Sequence, residues 1–111
     1  MARQKIMYIE NKSGENTLMG EARIGLVTFS KTGKSVHYNG LTFQTLGGRG
    51  FKANYVEVES GDEYWISGCK KNGEDRLYGE RLPIHIDEDI REQYWLEIRQ
   101  LPEMKHLKRI N

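Results

Sequence analysis

The feature of this sequence that most restricts its fold is Asn39-Gly40, a two-residue turn signal between two short runs of strand-forming residues. Asparagine and glycine both tolerate the positive φ that a type I′ turn requires at its two central positions. Residues 35–38 and 41–46 are therefore predicted to pair as a β-hairpin. With 12 glycines in 111 residues, the chain is expected to turn tightly at other places too.

Further strand signals lie on both sides of this hairpin and are separated by short polar turns. Lys31-Thr32-Gly33-Lys34 is predicted to close one hairpin, Ser60-Gly61-Asp62 a second and Asn72-Gly73 a third. The runs between these turns are rich in β-branched and aromatic residues. They favour strands at 5–11, 22–30, 53–59, 63–69, 76–78 and 83–86.

A single helix is predicted after the last strand. Asp87 is the expected N-cap, with acidic residues following it in the first turn, where they favour the positive end of the helix dipole. Pro102 ends the helix, which places it at about residues 88–101 and leaves 102–111 as a tail. Its apolar face carries Ile90, Tyr94, Ile98 and Leu101. Trp95 falls one position off that face and is expected at its edge, partly exposed.

The length of the chain bounds its architecture. A chain of 111 residues holds one hydrophobic core, so residues 1–111 are predicted to form a single domain. Short strands joined by tight turns and followed by one helix are typical of a mainly β fold. We therefore predict a small SH3-like or otherwise bent meander barrel of six to seven short antiparallel strands, with one C-terminal α-helix. The chain is too short for most cofactor-binding enzyme folds, and no cofactor is expected.

No segment of the sequence has the length and composition of a membrane span. The longest apolar runs are far shorter than the ~20 residues that cross a bilayer. The apolar run near the start is too short, and too soon followed by charge, for a signal peptide. Cys69 is the only cysteine, which excludes an intrachain disulfide, and a lone thiol fits a reducing compartment. The expected location is the cytoplasm, with no membrane partner.

The net charge of +1 hides an uneven distribution along the chain. Five basic residues and no acid lie between Glu21 and Glu57, whereas the stretch from Glu57 to Glu97 is strongly acidic. The basic stretch also contains four aromatic residues: Phe29, Tyr38, Phe43 and Phe51. This mixture is typical of small barrels that stack bases and follow phosphates, although the same rings would also suit a barrel core. Single-stranded nucleic acid on residues 22–56 is therefore an alternative function.

Large aromatic residues concentrate in the acidic half of the chain. Tyr64, Trp65 and Trp95 form a candidate aromatic patch, because rings rimmed with charge can make a partner surface. The competing interpretation is that these rings form the packed seam between a strand and the helix.

Cys69 raises a remote alternative, a thiol-dependent enzyme. Two lysines follow it, and His37 or His85 could act as its partner with Asp87 as the orienting carboxylate. A half-buried cysteine at a strand end is the favoured interpretation, because no family-type nucleophile signature surrounds it. The histidines do not share a ligand spacing, so no metal site is expected.

Four stretches resemble a group of small uncharacterised bacterial proteins. They are residues 20–25 (GEARIG), 29–34 (FSKTGK), 64–71 (YWISGCKK) and 75–79 (DRLYG), and the likeness extends to about Leu101. Some members are labelled deoxyxylulose-phosphate synthase, but a thiamine-diphosphate enzyme needs several hundred residues, so no catalytic residue carries over. The resemblance implies a bacterial, cytoplasmic protein.

These patterns favour a domain that works by binding and not by catalysis. A protein partner is the first expectation, because small barrels present loops on a rigid frame. The sequence leaves the oligomeric state open. The candidate binding residues are the basic ones in and beside the predicted turns: Lys31, Lys34, Arg49, Lys52, Lys70, Lys71 and Arg76.

Overall fold

The computed structural model describes residues 3–12, 22–46, 53–71 and 84–110. Eight strands lie within these ranges. They are β1 (Arg3–Asn11), β2 (Ala22–Phe29), β3 (Ser35–Tyr38), β4 (Leu41–Thr45), β5 (Tyr55–Glu57), β6 (Glu63–Gly68), β7 (Ile84–Ile86) and β8 (Arg109–Ile110). The predicted strand at 76–78 and the Asn72-Gly73 turn lie outside the described residues.

Strands β1 to β6 form a closed antiparallel meander barrel. Each pairs with the next strand in the sequence, and β6 returns to pair with β1. Closure depends on the length of β1, because its residues 3–10 pair with β2 while residues 7–11 pair with β6. The predicted mainly β meander barrel with a C-terminal helix is confirmed, and the barrel is closed.

The predicted hairpin at residues 35–46 is confirmed in the expected register. Ser35 pairs with Gln44 and Tyr38 with Leu41. The two turn residues have φ values of 50° at Asn39 and 79° at Gly40, as a type I′ turn requires.

Side chains of the barrel strands alternate between two hydrophobic clusters. The first fills the barrel and consists of Met7, Ile9, Val27, Phe29, Val36, Tyr38, Phe43 and Ile66. The second covers the outside of β1 and β2, and its members come largely from the C-terminal part of the chain: Ile6, Tyr8, Ala22, Ile24, Ile84, Ile86, Ile90, Tyr94 and Trp95. The helix thus seals one outer face of the barrel.

The C-terminal helix (residues 88–98) changes its winding along its length. It begins as a 3-10 turn at Glu88–Ile90, continues as α-helix through Arg91–Gln93 and ends as π-helix at Tyr94–Ile98. The predicted helix is therefore present but ends three residues earlier than the expected Leu101. No helix within the described ranges is long and apolar enough to cross a membrane.

The expectation that Trp95 is partly exposed is wrong. Its side chain is 2% exposed, and its indole Nε1 donates to the Leu107 carbonyl at 3.0 Å. The C-terminal segment explains this, because Leu101 and Ile110 pack against the cluster that contains Trp95, and the Leu107 carbonyl accepts from its indole. The Tyr94 and Trp95 rings also contact each other edge to face.

Two further expectations need correction. The last predicted strand exists as β7, but it runs parallel to β2, so the strands are not all antiparallel. The segment treated as a tail contains β8, which pairs with β7. A local sequence pattern could not predict either pairing, because each one joins segments that are distant in the sequence.

One pair of opposite charges is buried on the outer face of β1. Glu10 is 1% exposed and Lys12 8%, and their carboxylate and ammonium groups lie 2.9 Å apart. The Tyr8 hydroxyl also donates to Glu10. The pair satisfies two charges that burial would otherwise penalise heavily.

Glu57 organises the turn between β5 and β6. Its carboxylate accepts hydrogen bonds from the backbone N–H groups of Glu59 and Ser60, each at 3.0 Å. The Glu59 N–H bond is the main reason why the pKa of Glu57 lies below its usual 4.5. Because this turn starts at residue 58, the strand predicted at 53–59 is shorter than expected.

Replacing Gly40 by alanine should destabilise the barrel. A Cβ at a φ of 79° is strained, so Gly40→Ala is expected to lower the free energy of unfolding by about 1 kcal/mol. Gly68→Ala is the matched control, since its added Cβ meets only Lys5 Nζ at 3.7 Å. Urea denaturation of both variants measures the difference, and equal stabilities would contradict the type I′ assignment.

The stabilisation from Glu57 should depend on pH. Since its folded pKa is lowered, the contribution is present above pH 4.5 and is lost as the pH falls through the folded pKa. Glu57→Gln should therefore unfold at a lower urea midpoint than the wild type at pH 7, with the gap narrowing below pH 4.5. The exposed neighbour Glu59 provides the control, Glu59→Gln, for which the midpoint gap should be small at both pH values.

Candidate functional site

Strand β2 pairs with three strands, whereas each strand of a simple barrel pairs with two. One edge pairs with β1 along the whole strand. The other edge is divided, because β3 pairs with Thr28 and Phe29 while β7 pairs with Arg23 and Ile24. The sheet therefore forks at β2, and a gap opens between β3 and β7 beside residues 25–27.

Three polar side chains meet in this fork. The Tyr38 hydroxyl donates to Asp87 Oδ2 at 2.5 Å, and Arg23 Nε donates to Asp87 Oδ1 at 2.9 Å. Arg23 Nη2 lies 2.8 Å from the same Oδ1, and Nε lies 3.3 Å from the Tyr38 hydroxyl. The cluster connects β2, β3 and the start of the C-terminal helix.

Gly25 makes room for the cluster. A Cβ built on this residue would lie 2.6 Å from Asp87 Oδ2 and closer still to the Tyr38 ring. Every side chain larger than hydrogen is thus excluded unless Tyr38 and Asp87 move. A glycine inside a strand commonly marks such a close approach.

The cluster holds two of its members in defined protonation states. Burial, followed by the hydrogen bond to Asp87, raises the pKa of Tyr38, so its hydroxyl remains a neutral donor. The bond to Asp87 raises the pKa of Arg23, which keeps the guanidinium charged. Near neutral pH, Tyr38 therefore stays uncharged and Arg23 stays positively charged, so both keep donating to Asp87.

Asp87 has a different role from the predicted one. It occupies the N-cap position of the helix with extended backbone angles, but its side chain makes no capping hydrogen bond. Its carboxylate points to Arg23 and Tyr38 instead, since a charged partner forms the stronger hydrogen bond.

A cleft of about 570 Å³ opens over the fork, and we call it the fork cleft. Its apolar lining comes from Leu26 and Ile86, and its polar lining from the cluster and Asn39. Three charged residues complete it: Glu88, Asp89 and Arg91. Its size lies within the range of small-molecule sites. In the described part of the chain, no group of three histidine, cysteine or acidic residues could hold a metal ion.

The barrel also has a strongly basic end, where β1 begins and where β2, β4 and β6 finish. Lys31 and Lys34 lie in the β2–β3 turn, and Lys70 and Lys71 follow β6. Arg3 and Lys5 at the start of β1 lie at the same end, because Arg3 pairs with Phe29 and Lys5 Nζ approaches Gly68. All six are exposed, and no acid accompanies them among the described residues of this end.

The predicted basic residues are thus partly brought together. Lys31, Lys34, Lys70 and Lys71 share the basic end, although the sequence separates them into two halves. Arg49, Lys52 and Arg76 lie outside the described residues. The exposed acids Glu59, Glu63, Glu88 and Asp89 lie towards the opposite end, around the β3–β4 and β5–β6 turns and the fork cleft.

The candidate aromatic patch is divided between two faces. Tyr64 and Trp65 are consecutive in β6, so their side chains point to opposite sides. Tyr64 packs inside the barrel, edge to face with Phe43 at 4.7 Å, whereas Trp65 packs against the outer cluster that contains Trp95. The three rings do not form one surface, and the seam interpretation describes Trp65 and Trp95.

The rings expected to stack bases are also inside. Phe29, Tyr38 and Phe43 belong to the barrel cluster and are at most 9% exposed. No base can stack on them in this structure. Phe51, the fourth ring of that set, lies outside the described residues.

Cys69 follows β6 and is half-buried against the outer cluster, with Sγ 3.7 Å from the Ile6 carbonyl. His37 lies on β3, and β1 and β2 separate β3 from β6 around the barrel. His85 lies on β7 opposite Arg23, and the carboxylate of Asp87 is bonded to Arg23 and Tyr38. The predicted Cys-His-Asp arrangement is not assembled.

The sequence analysis did not predict the cluster of Arg23, Tyr38 and Asp87. Gly25, inside a strand of otherwise bulky residues, was the available signal for a close approach. The identity of the approaching groups depends on the parallel pairing of β7, which has no local signature.

Comparison of the chain with protein-family models, with curated proteins and with solved structures gives no match.

Removing the Tyr38 hydroxyl should weaken the link between barrel and helix. Tyr38→Phe deletes a hydrogen bond to a charged acceptor and is expected to lower the free energy of unfolding by about 1–2 kcal/mol. Tyr55→Phe is the control, because in the described structure its hydroxyl has no side-chain partner while its ring also packs inside the barrel. Urea denaturation compares the two, and equal losses would show that the Tyr38–Asp87 bond contributes nothing.

Proposed function

We propose that the protein is a binding domain whose basic end docks on an acidic surface of a partner protein. The observation that supports this most strongly is the segregation of charge in the folded barrel. Six exposed cations lie at one end, although the whole chain has a net charge of only +1.

A closed barrel can hold such a group of charges in a defined arrangement. The cations lie in a tight turn, at the start of β1 and directly after β6, so the frame restrains their spacing. Grouped charges of one sign attract an oppositely charged partner and accelerate encounter. Because exposed lysines are well solvated, they act mainly on the rate of association, and a change in their charge alters the affinity through that rate.

Single-stranded nucleic acid is the second candidate. The basic end supplies cations for phosphate contacts, but the rings that would stack bases, apart from Phe51, pack inside the barrel. Because the basic end offers cations without exposed rings among the described residues of that set, a protein surface is favoured as the partner. The resemblance to small bacterial proteins and the single thiol support a cytoplasmic setting, and the function is binding without catalysis.

A pair of matched charge reversals tests the proposal. The double variant Lys31→Glu, Lys34→Glu should lose at least tenfold in affinity for the partner isolated by pull-down from a bacterial lysate, since two attractive charges become repulsive. The double variant Lys105→Glu, Lys108→Glu is the control, with the same charge change and the same spacing at exposed positions in the C-terminal segment. Biolayer interferometry on the captured partner gives both dissociation constants.

Nuclease treatment and a nucleic-acid probe separate the two candidates. Capture that survives nuclease, with no anisotropy change for labelled oligo-dT at low salt, supports a protein partner. If oligo-dT binds and its affinity falls steeply with salt, the ligand of the basic end is single-stranded nucleic acid. Equal affinity losses in both double variants would overturn the role of the basic end altogether.

A further inference from the structure

We infer that the fork cleft binds a free α-amino acid with an aliphatic side chain, held as its zwitterion. This goes beyond the proposed function, because the ligand is a small molecule and the cleft lies away from the basic end. The observation that carries the inference is that charged groups of both signs line the cleft without an opposite charge among the described residues.

Arg91 carries a positive charge that the described structure leaves without a counter-ion. Its side chain is half-buried and lines the cleft. Nη2 donates to the Ile86 carbonyl at 3.0 Å, but the buried Nε has no hydrogen-bond partner, and no described carboxylate forms an ion pair with the guanidinium. A half-buried charge is costly unless an opposite charge and hydrogen bonds compensate it. A ligand carboxylate can supply both, because its two oxygens match the fork of a guanidinium.

Arg99, just beyond the other end of the helix, is compensated in a different way. Its Nε is also buried without a hydrogen-bond partner, but its guanidinium lies over the Trp95 ring at 5.1 Å and Nη1 donates to the Tyr94 hydroxyl at 3.4 Å. The face of an aromatic ring attracts a cation. Within the described ranges Arg91 contacts no ring in this way, so its site lacks a group that the chain itself could provide there.

Two carboxylates at the start of the helix supply the opposite sign. Glu88 and Asp89 line the cleft, are exposed and form no ion pair with any described residue. Glu88 precedes Arg91 by three residues, and side chains at this spacing lie on the same side of a helix. A ligand ammonium group beside Glu88 and a ligand carboxylate beside Arg91 are therefore close neighbours, as they are on the α-carbon of an amino acid.

The mixed signs exclude simpler charged ligands. Arg23 and Asp87 form a matched pair, which leaves the cation of Arg91 and the carboxylates of Glu88 and Asp89. An amine without a carboxylate does not compensate Arg91, and an anion without an amine is repelled by the two acids. A zwitterion satisfies both signs at once.

A smaller cavity beside the cleft provides a place for the side chain. It lies at the mouth of the barrel where β1 and β3 end, and we call it the mouth pocket. Its volume is about 170 Å³, and Arg23, Tyr38 and Asn39 line both it and the cleft, so the two cavities adjoin. The half-buried Leu41 and Tyr64 contribute to its wall. An aliphatic side chain can therefore leave water there while the charged groups of the ligand stay in the cleft.

An NMR titration with L-leucine and three related compounds tests the ligand. Leucine should shift the ¹⁵N–¹H signal of Arg91 Nε, because a carboxylate on the guanidinium changes its electronic environment. Leucine methyl ester lacks the carboxylate and N-acetyl-leucine lacks the ammonium group, so each should bind at least tenfold more weakly. Glycine lacks the side chain and should also bind more weakly. No shift of the Arg91 signal at millimolar leucine, or an affinity equal to that of leucine for any of the three compounds, would overturn the proposal.

A pair of arginine variants tests the carboxylate site by calorimetry. Arg91→Gln should lower the affinity for leucine at least tenfold. Arg99→Gln is the matched control, since it removes the same charge from an arginine that also has a buried Nε but lies outside the described cleft lining. Equal losses in the two variants would contradict a contact between Arg91 and the ligand. The urea midpoint of each variant shows whether it is folded.

An acidic pair at exposed positions tests the ammonium site without disturbing buried groups. Glu88→Gln with Asp89→Asn should weaken leucine at least tenfold and strengthen N-acetyl-leucine, because the repulsion of its carboxylate is removed. Glu92→Gln with Glu97→Gln makes the same charge change at exposed helix positions outside the cleft lining and should alter neither affinity. An unchanged leucine affinity in the first variant would refute the zwitterion site. The basic-end variants leave this cleft intact, so failure of one proposal is distinguishable from failure of the other.

Discussion

The pairing of β1 with both β2 and β6 is the constraint on which the rest of the structure depends. A nine-residue strand can join the first and last hairpins of the meander only by overlapping them in a staggered register. Closure removes the free edges that an open sheet of this size would expose. It also creates an interior that eight apolar residues fill, and an exterior face that must be covered by another part of the chain.

That covering explains the fork. The outer face of β1 and β2 is apolar, so the C-terminal part of the chain packs over it and brings β7 to the edge of β2. Because β3 already occupies part of the same edge, the two strands diverge beside Gly25 and Leu26. Arg23, Tyr38 and Asp87 join the sides of the gap, and Leu26 keeps its outward backbone groups open. The cleft is thus a consequence of placing two strands on one edge.

The same closure separates the charges. The strands of a meander carry successive turns to alternate ends, so residues far apart in the sequence come together at each end. Lys31 and Lys34 thereby join Lys70 and Lys71, while Glu59 and Glu63 lie towards the other end. The two ends of the barrel differ in sign for this reason.

The sequence by itself determined the features that depend on neighbours along the chain. Asn39-Gly40 specified a turn through its backbone preferences, and alternation marked most of the strands. Tertiary structure alone decided the parallel pairing of β7, the burial of Trp95 under the C-terminal segment and the pairing of the Asp87 carboxylate with Arg23. These outcomes depend on which distant surfaces need covering, and the free energy of that packing exceeds the local preferences that a sequence pattern records.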